Sequence, residues 1–407
     1  SSYVIGPYSN QVASTPSLNA GRQWQFVRVF PDSSFRPPSG INNGVAVDPA
    51  GKVWLQTFSS VSDSFPSGLR TGSIYVFNPV GTQVSFSPIK ILSGHDQTGA
   101  SVTDTLNASG YGLATDPSTG NILSVKGSTR LWKINYQTGV GILRIMNPIP
   151  GYTSSLSAPA ADQYGEVFIA PIVPPAPVAI LNSDFTLAGT VTGATNDFVR
   201  CVAVSPDGND VYVAGFTAMK VLKYHSPNRS LGPYVLQDSI LGLVVESMTI
   251  HPKTGHLWMS SGNIISGLPA APYQPYRWYG YNLSTKSIVD SIVWNGPVDS
   301  DPRPRGIAFS PNGDTAYVAS FVGSVPPVQM FIRGGGVAQP PAAPTLALPA
   351  NGAAGQLTTL TLTWNASTGA TSYRLQVSTA SSFATTVVND STLTGTSRQA
   401  GPLMSAT

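Results

Sequence analysis

Gly306-Ile-Ala-Phe-Ser-Pro-Asn-Gly313 is a short apolar run that leads into a polar turn, and the chain repeats this segment. Proline follows the turn residue in five of the six copies, and glycine ends every copy. The other five copies are Gly44-Val-Ala-Val-Asp-Pro-Ala-Gly51, Gly112-Leu-Ala-Thr-Asp-Pro-Ser-Thr-Gly120, Ala158-Pro-Ala-Ala-Asp-Gln-Tyr-Gly165, Cys201-Val-Ala-Val-Ser-Pro-Asp-Gly208 and Ser247-Met-Thr-Ile-His-Pro-Lys-Thr-Gly255. Such self-similarity predicts a fold built from copies of one structural unit.

The spacing of the copies indicates which unit is repeated. The turn residues Asp48, Asp116, Asp162, Ser205, His251 and Ser310 lie between 43 and 68 residues apart. A repeat of about 40–45 residues with insertions is typical of a β-propeller. Proline presets φ in the turn, glycine takes the positive φ, and the Asp or Ser side chain bonds back to the turn backbone. The sequence therefore predicts an all-β chain.

Each unit contains alternating segments that predict four strands. The second strand is the clearest, as in Val53–Phe58 and Val211–Phe216. Its second residue is large in every unit, and we expect this column to pack between neighbouring blades. The column consists of Trp54, Leu123, Phe168, Tyr212, Trp258 and Tyr317.

A strand before the first unit is expected to close the ring. The first unit has a fourth strand at Val84–Leu92, whereas the sixth has none after Ile332. Gln23–Phe30 alternates and is predicted to pair with the sixth unit, which removes two unpaired sheet edges. We predict a six-bladed propeller over residues 23–336, preceded by an extension over residues 1–22. Three insertions are expected to display a binding surface: Ser59–Gly72, Ser93–Ser109 and Gly262–Tyr276.

The repeat resembles two known families. Gly306–Gly313 and Val202–Gly208 are similar to the repeats of the NHL and YVTN propellers. This resemblance implies the propeller fold over about 310 residues. It does not imply an activity, because one fold supports many functions.

The C-terminal part of the chain differs in pattern. Residues 337–344 form a Pro-rich linker, which is predicted to be stiff and extended. Beyond it, Trp364 and Tyr373–Val377 resemble the buried tryptophan and the next central strand of a fibronectin type III domain, and Phe383–Val388 resembles the strand after that. The resemblance implies a β-sandwich over residues 345–407. The last two strands of the family have no counterpart, so we expect a partial sandwich.

Composition limits the class of protein. Only 10% of residues are charged, the net charge is +3, and no Lys/Arg cluster offers a nucleic-acid surface. No apolar run reaches the length of a membrane span. The one cysteine, Cys201, allows no internal disulfide and lies in an apolar run typical of a core. A weakly charged, turn-rich chain of this kind is expected to be extracellular or at the cell surface.

The residue before each first strand is the best candidate for a site, since that position faces the mouth of the central channel in such propellers. These residues are Asn43, Tyr111, Ser157, Arg200, Glu246 and Arg305. Two arginines with one glutamate are suited to an anionic or sugar ligand. The alternative is that these side chains pair with one another and with water.

No motif in the sequence indicates a catalytic nucleophile, a phosphate loop or a bound cofactor. The histidines lack metal-ligand spacing, and Asp207–Asp210 is explained as a repeat turn rather than a calcium loop. We expect no cofactor and no metal.

Two functional interpretations remain open at this stage. The first is a non-catalytic structural or adhesion protein that associates with itself or with other surface proteins and glycans; one form of it is the subunit of an extracellular filament. The second is a lyase or hydrolase, or a glycan-binding protein, that acts at the channel mouth. The sandwich pattern ends after Val387–Asp390 and lacks its final strands, and Ser2–Tyr8 is a β-prone segment that the ring does not need. Together these features suggest that one copy donates a strand to the sheet of another. The alternative is that the chain continues and completes its own sandwich.

Overall fold

A computed structural model describes residues 24–37, 41, 43–58, 63–127, 129–175, 177–193, 197–261, 273–296, 304–321, 326–333, 344–367, 373–380 and 383–403. The chain divides into two compact units. One comprises Gln23–Arg333, and the other comprises Gly334–Thr407 together with Ser1–Arg22. Among the described residues, no helix is long and apolar enough to cross a membrane.

In the described part of the larger unit, the elements are short strands and one 3₁₀ helix, Arg229–Leu231. Its first strands are β1 (Trp24–Val29), β2 (Val45–Val47), β3 (Val53–Gln56), β4 (Asp63–Ser64), β5 (Arg70–Thr71), β6 (Ile74–Phe77), β7 (Ile91–Asp96), β8 (Ser101–Thr105), β9 (Gly110–Thr115), β10 (Ile122–Lys126), β11 (Arg130–Ile134) and β12 (Gly141–Met146). They are followed by β13 (Ala160–Ala161), β14 (Val167–Ile169), β15 (Val178–Leu181), β16 (Leu187–Val191), β17 (Val199–Val204), β18 (Asp210–Gly215), β19 (Lys220–His225), β20 (Val235–Leu241), β21 (Met248–Ile250), β22 (Leu257–Ser260), β23 (Arg277–Asn282), β24 (Ser287–Val293), β25 (Pro304–Phe309), β26 (Thr315–Ser320) and β27 (Val328–Arg333).

These strands form successive sheets arranged around a ring. The sheet orders are β2-β3-β6, β8-β7-β12-β11-β10-β9, β13-β14-β15-β16, β17-β18-β19-β20, β21-β22-β23-β24 and β1-β27-β26-β25, with β4 and β5 as a separate hairpin. One strand of each sheet lies innermost, and each innermost strand contacts the next. In order around the ring these strands are β2, β9, β13, β17, β21 and β25, and β25 contacts β2 again. This closed cycle of sheets is a β-propeller, so the predicted all-β propeller fold is confirmed.

Strand β1 pairs with β27, the last strand of the larger unit. It runs antiparallel to β27, with Trp24 opposite Arg333 and Val29 opposite Gln329. The Phe30 amide continues the ladder by donating to the Val328 carbonyl at 2.9 Å. A sheet therefore joins the beginning of the unit to its end.

The repeat turns use the side-chain chemistry that the sequence predicts. The Asp48 carboxylate accepts hydrogen bonds from the Ala50 and Lys52 amides, both at 2.9 Å. In the fifth copy the His251 imidazole replaces it, because Nδ1 accepts from the Lys253 and Thr254 amides. Nε2 then donates to the Gly313 carbonyl of the next turn at 2.9 Å. Burial lowers the pKa of His251 to about 4, which favours this neutral tautomer.

The large residue of each second strand lies in a separate apolar cluster between its own blade and the next. Trp54, for example, packs with Leu113 and Trp132 of the following blade. Tyr317 of the last blade packs with Val45 and Leu55 of the first. All six column residues are at most 2% exposed, so their predicted burial is confirmed. The core of this unit is thus a ring of interfaces between blades.

The first blade differs from the prediction. Residues 84–92 do not form its fourth strand, and only single bridges join Gln83 and Ile89 to β6. Strand β7 instead runs parallel to β12 of the second blade and pairs with β8 as a hairpin. The insertion Ser93–Ser109 therefore covers a sheet edge instead of serving as a free loop. Residues 59–62 and 262–272 of the other insertions lie outside the described residues.

The C-terminal unit has two small sheets over one core. Strands β28 (Leu346–Leu348), β29 (Leu360–Trp364) and β32 (Ser397–Ala400) form one sheet, and β30 (Tyr373–Val377) pairs with β31 (Val388–Leu393) in the other. Trp364, Tyr373 and Leu375 are buried between them. The predicted strand Phe383–Val388 is wrong, because β31 begins only at Val388.

Replacing Trp258 by alanine should lower the free energy of unfolding by about 3–5 kcal/mol, because it leaves a cavity between the last two blades. Chemical denaturation of the purified protein measures this loss. Leu231→Ala is the matched control, since Leu231 is 86% exposed and its loss should cost less than about 0.5 kcal/mol. Equal effects of the two substitutions would contradict the interblade core.

Candidate functional site at the channel mouth

The structure places the six predicted residues at or just before the beginning of the innermost strands. Tyr111, Arg200 and Arg305 lie inside β9, β17 and β25, because these strands begin earlier than the sequence suggested. Asn43 and Ser157 precede their strands and make single bridges or hydrogen bonds. Glu246 lies two residues before β21. The shared repeat position thus places these residues at the same end of neighbouring inner strands.

Three of the six form an ionic cluster. Glu246 is buried, and its two carboxylate oxygens face different arginines. Oε1 lies 3.5 Å from Nη2 of Arg305, and Oε2 lies 3.9 Å from Nε of Arg200. The cluster carries a net charge of about +1 at neutral pH.

The two arginines differ in accessibility. The Arg305 side chain is 5% exposed, its Nη1 donates to the Pro304 carbonyl, and its guanidinium lies 5.6 Å from the ring centre of Phe321. The Arg200 side chain is 34% exposed and lies 5.0 Å from the ring centre of Phe216. Arg305 therefore belongs to the protein interior, while Arg200 is the basic group that a ligand can reach.

The remaining three residues have mixed positions. The Ser157 side chain is fully buried, and its hydroxyl accepts from the Ala170 amide at 3.1 Å. This hydroxyl supports the backbone and is closed to solvent. The prediction that Ser157 contacts a ligand at the mouth is therefore corrected. Tyr111 is partly exposed and accepts from the Ser155 hydroxyl at 3.4 Å. Asn43 Nδ2 donates across the channel to the Arg200 carbonyl at 3.4 Å.

Aromatic side chains at the mouth were not singled out from the sequence. Three partly exposed phenylalanines lie at the ends of second strands. Phe216 directly follows β18, Phe321 directly follows β26, and Phe58 lies two residues after β3. Phe58 lies 5.1 Å from Phe321 and 6.0 Å from Tyr111, in edge-to-face geometry. The recurring pairs Thr57-Phe58, Gly215-Phe216 and Ser320-Phe321 are the signal that would have identified them. The mouth thus combines aromatic edges with a guanidinium group.

The channel is narrow at this end. The Leu113 amide donates to the Asn43 carbonyl, and the Ala158 amide donates to the Arg200 carbonyl, both at 3.0 Å. A Cβ added to Gly112 would lie 2.5 Å from that of Ala158, so only glycine permits this approach. Because neighbouring inner strands touch here, little space remains between them at this end of the channel.

The described residues contain no group of three or more His, Cys, Asp or Glu side chains placed to hold a metal ion. Cys201 is buried beside the mouth, where burial and the charge of Glu246 raise the pKa of its thiol. Its protonated form is therefore favoured at neutral pH.

Comparisons with known proteins give no family. No family model and no curated protein matches the chain. Among solved structures, the β-propeller domain of Myceliophteria thermophila Cps50 (Swd1) is 9% identical with a TM-score of 0.47, over 74% of this chain and 99% of that one. A chain of the Mitotic Checkpoint Complex is 10% identical with a TM-score of 0.46, over 82% of this chain and 96% of that one. Similarities this distant assign no function.

Replacing Arg305 by alanine should lower the free energy of unfolding by about 3 kcal/mol or more, because buried Glu246 loses its buried partner. Replacing Arg200, which is partly exposed, should cost less than about 1 kcal/mol. Urea unfolding of the two variants makes the comparison. If Arg305→Ala proves as mild as Arg200→Ala, the buried pair contributes little to the mouth.

Proposed function

We propose that the protein is a non-catalytic, secreted or cell-surface protein of structural or adhesive type, and that its mouth binds a glycan. The propeller is interpreted as six-bladed and NHL- or YVTN-like. The supporting observation is the surface around Arg200, where an accessible guanidinium lies against Phe216. Aromatic faces pack against the apolar faces of sugars, and a guanidinium group donates hydrogen bonds to hydroxyl or carboxylate oxygens. A sugar bearing a carboxylate suits this combination.

The ion pairs of Glu246 favour binding over catalysis. A general acid or base must reach the substrate with its reactive oxygen. Both oxygens of Glu246 are turned to arginines, and its side chain is 5% exposed. We therefore propose that Glu246 positions Arg200, and that a lyase or hydrolase activity at the mouth is the competing hypothesis.

Arg200→Ala should reduce binding to acidic glycans on an array at least tenfold, because it removes the accessible cation. Phe216→Ala should reduce binding to acidic and neutral sugars alike, since it removes the stacking surface. Arg28→Ala is the control, because Arg28 is on the outer strand β1 and bonds to the Pro79 carbonyl. Unchanged binding by Arg200→Ala and Phe216→Ala would refute the glycan site. Release of a cleaved sugar by the unaltered protein would favour the enzyme instead.

A second candidate function is self-association through the C-terminal unit. Strand β30 pairs with β31 on one side, and no described strand pairs with its other edge. A small apolar groove of about 10 Å³ is lined by Pro344, Leu346, Trp364, Tyr373, Arg374 and Leu375. The Trp364 indole N–H is buried without a hydrogen-bond partner among the described residues. We interpret the unit as a fibronectin type III-like sandwich that accepts a strand from another chain.

We propose that the donor is Ser2–Tyr8 of another copy, a segment outside the described residues. Its Tyr3 and Ile5 alternate as an added strand requires. Addition of one copy's strand to another copy's sheet is heterologous, so it does not close on itself and produces a filament.

Ile5→Asp should abolish filaments seen by electron microscopy, because a charge cannot enter the apolar groove without a large desolvation cost. Ser9→Asp is the control, since it lies beyond the proposed strand and should leave filaments intact. Filaments that persist in Ile5→Asp, or their absence from the unaltered protein, would exclude this donor.

A further inference from the structure

A cavity lies in the channel and extends from the repeat turns to Asn43 at the mouth. It has a volume of about 560 Å³ and is lined by the innermost strands and the repeat turns of the described blades. Volumes of about 300–1,000 Å³ are typical of sites for small ligands. The charged cluster of Arg200, Glu246 and Arg305 does not line it. The channel therefore has two ends with different chemistry.

The rim of this cavity is formed by one repeat position. Five turns place a proline there, and the third places Gln163: the prolines are Pro49, Pro117, Pro206, Pro252 and Pro311. Proline has no N–H, and the Gln163 amide already donates to the Pro206 carbonyl at 2.9 Å. The rim thus presents apolar rings and carbonyl oxygens, and its six backbone positions offer no free N–H.

The wall is composed mainly of small and aliphatic residues, together with Thr115, Thr249 and Phe309. Ala114, Ala160 and Ala308 line it and are partly exposed. The ionisable side chains Asp48 and His251 also line it, but both are buried and bonded to their own turns. A charged ligand would lose its hydration in this channel without gaining an accessible ion of opposite sign.

The inner strands also present backbone to the cavity. Each is hydrogen-bonded within its sheet on one side only, as β17 is to β18 and β2 is to β3. Direct bonds between neighbouring inner strands occur toward the narrow end, between Asn43 and Leu113 and between Ala158 and Arg200. Backbone groups along the remaining inner edges need a partner from water or from a ligand.

We propose that this cavity is a binding site for an extended, uncharged polypeptide segment with small side chains, which enters between the turn prolines. Its backbone supplies donors and acceptors to the inner strand edges, and its side chains contact the aliphatic wall. A hydrocarbon chain would leave those edges without hydrogen bonds, and a sugar would place hydroxyls against apolar residues. Strands of up to six residues span about 20 Å, which sets the length of the segment.

The test uses the full chain and a fluorescein-labelled Gly-Ala-Gly-Ala-Gly-Ala peptide, with binding followed by fluorescence anisotropy. Saturable binding is expected. Pro117→Phe and Pro311→Phe each place a large side chain at the rim of the cavity from different blades, so each should weaken binding at least tenfold. The same peptide with its central alanine replaced by glutamate should also bind at least tenfold more weakly, because the channel offers it no accessible cation.

Two controls separate this site from the mouth and from misfolding. Arg200→Ala should leave peptide affinity within twofold of the unaltered protein, and near-UV circular dichroism should show that both phenylalanine variants are folded. Hydrogen exchange of the unaltered protein should slow in β2, β17 and β25 when peptide is present. The proposal is overturned if the peptide does not bind, if folded phenylalanine variants bind it equally well, or if exchange slows only at the mouth. Its failure would leave the glycan hypothesis untouched.

Discussion

Pairing of β1 with β27 is the interaction on which the propeller depends, because it joins the two ends of the ring in one sheet. The strand also contacts both neighbouring blades. Trp24 lies 5.7 Å from Trp258 of the fifth blade and donates to Asp290 at 2.9 Å, whereas Phe30 lies 4.8 Å from Tyr317 and 6.0 Å from Phe77 of the first. A blade cannot bury both faces alone, and closure lets the last blade cover the first, as the cluster of Tyr317 with Val45 and Leu55 shows.

Closure also explains why the turns contain buried polar groups. Inner strands converge at the ring, so their turn side chains have little solvent and must be satisfied locally. Asp48 achieves this with backbone amides and with the Trp54 indole, whose Nε1 donates at 3.0 Å. His251 uses one nitrogen for its own turn and the other for Gly313 of the next blade. Gly313 has φ +72°, and a Cβ there would lie 2.6 Å from the imidazole, so glycine satisfies both the turn and the contact.

The ring was predictable from the sequence because each repeat encodes the same local turn and the same large interblade residue. The position of strand β7 was not predictable in this way. Alternation in residues 84–92 predicts a strand but not its partner, and the pairing with β12 depends on tertiary packing. The shift of β31 to Val388 has the same origin. At the mouth, the repeat position identified Arg200, Glu246 and Arg305, but only the structure distinguishes buried Arg305 from accessible Arg200.

The two ends of the channel differ because the repeat constrains them differently. At the turn end, backbone geometry requires a hydrogen-bonding side chain followed by proline or an equivalent, which leaves an apolar rim of nearly uniform chemistry. At the mouth, the corresponding repeat position has no common turn to satisfy, and Ser157 uses its side chain to support the backbone. The other residues at this position are Asn43, Tyr111, Arg200, Glu246 and Arg305. Variation is therefore concentrated at the mouth, where selective recognition of a ligand is physically easiest to build. The turn end offers only shape, small side chains and backbone hydrogen bonds, which suit a ligand recognised by its main chain.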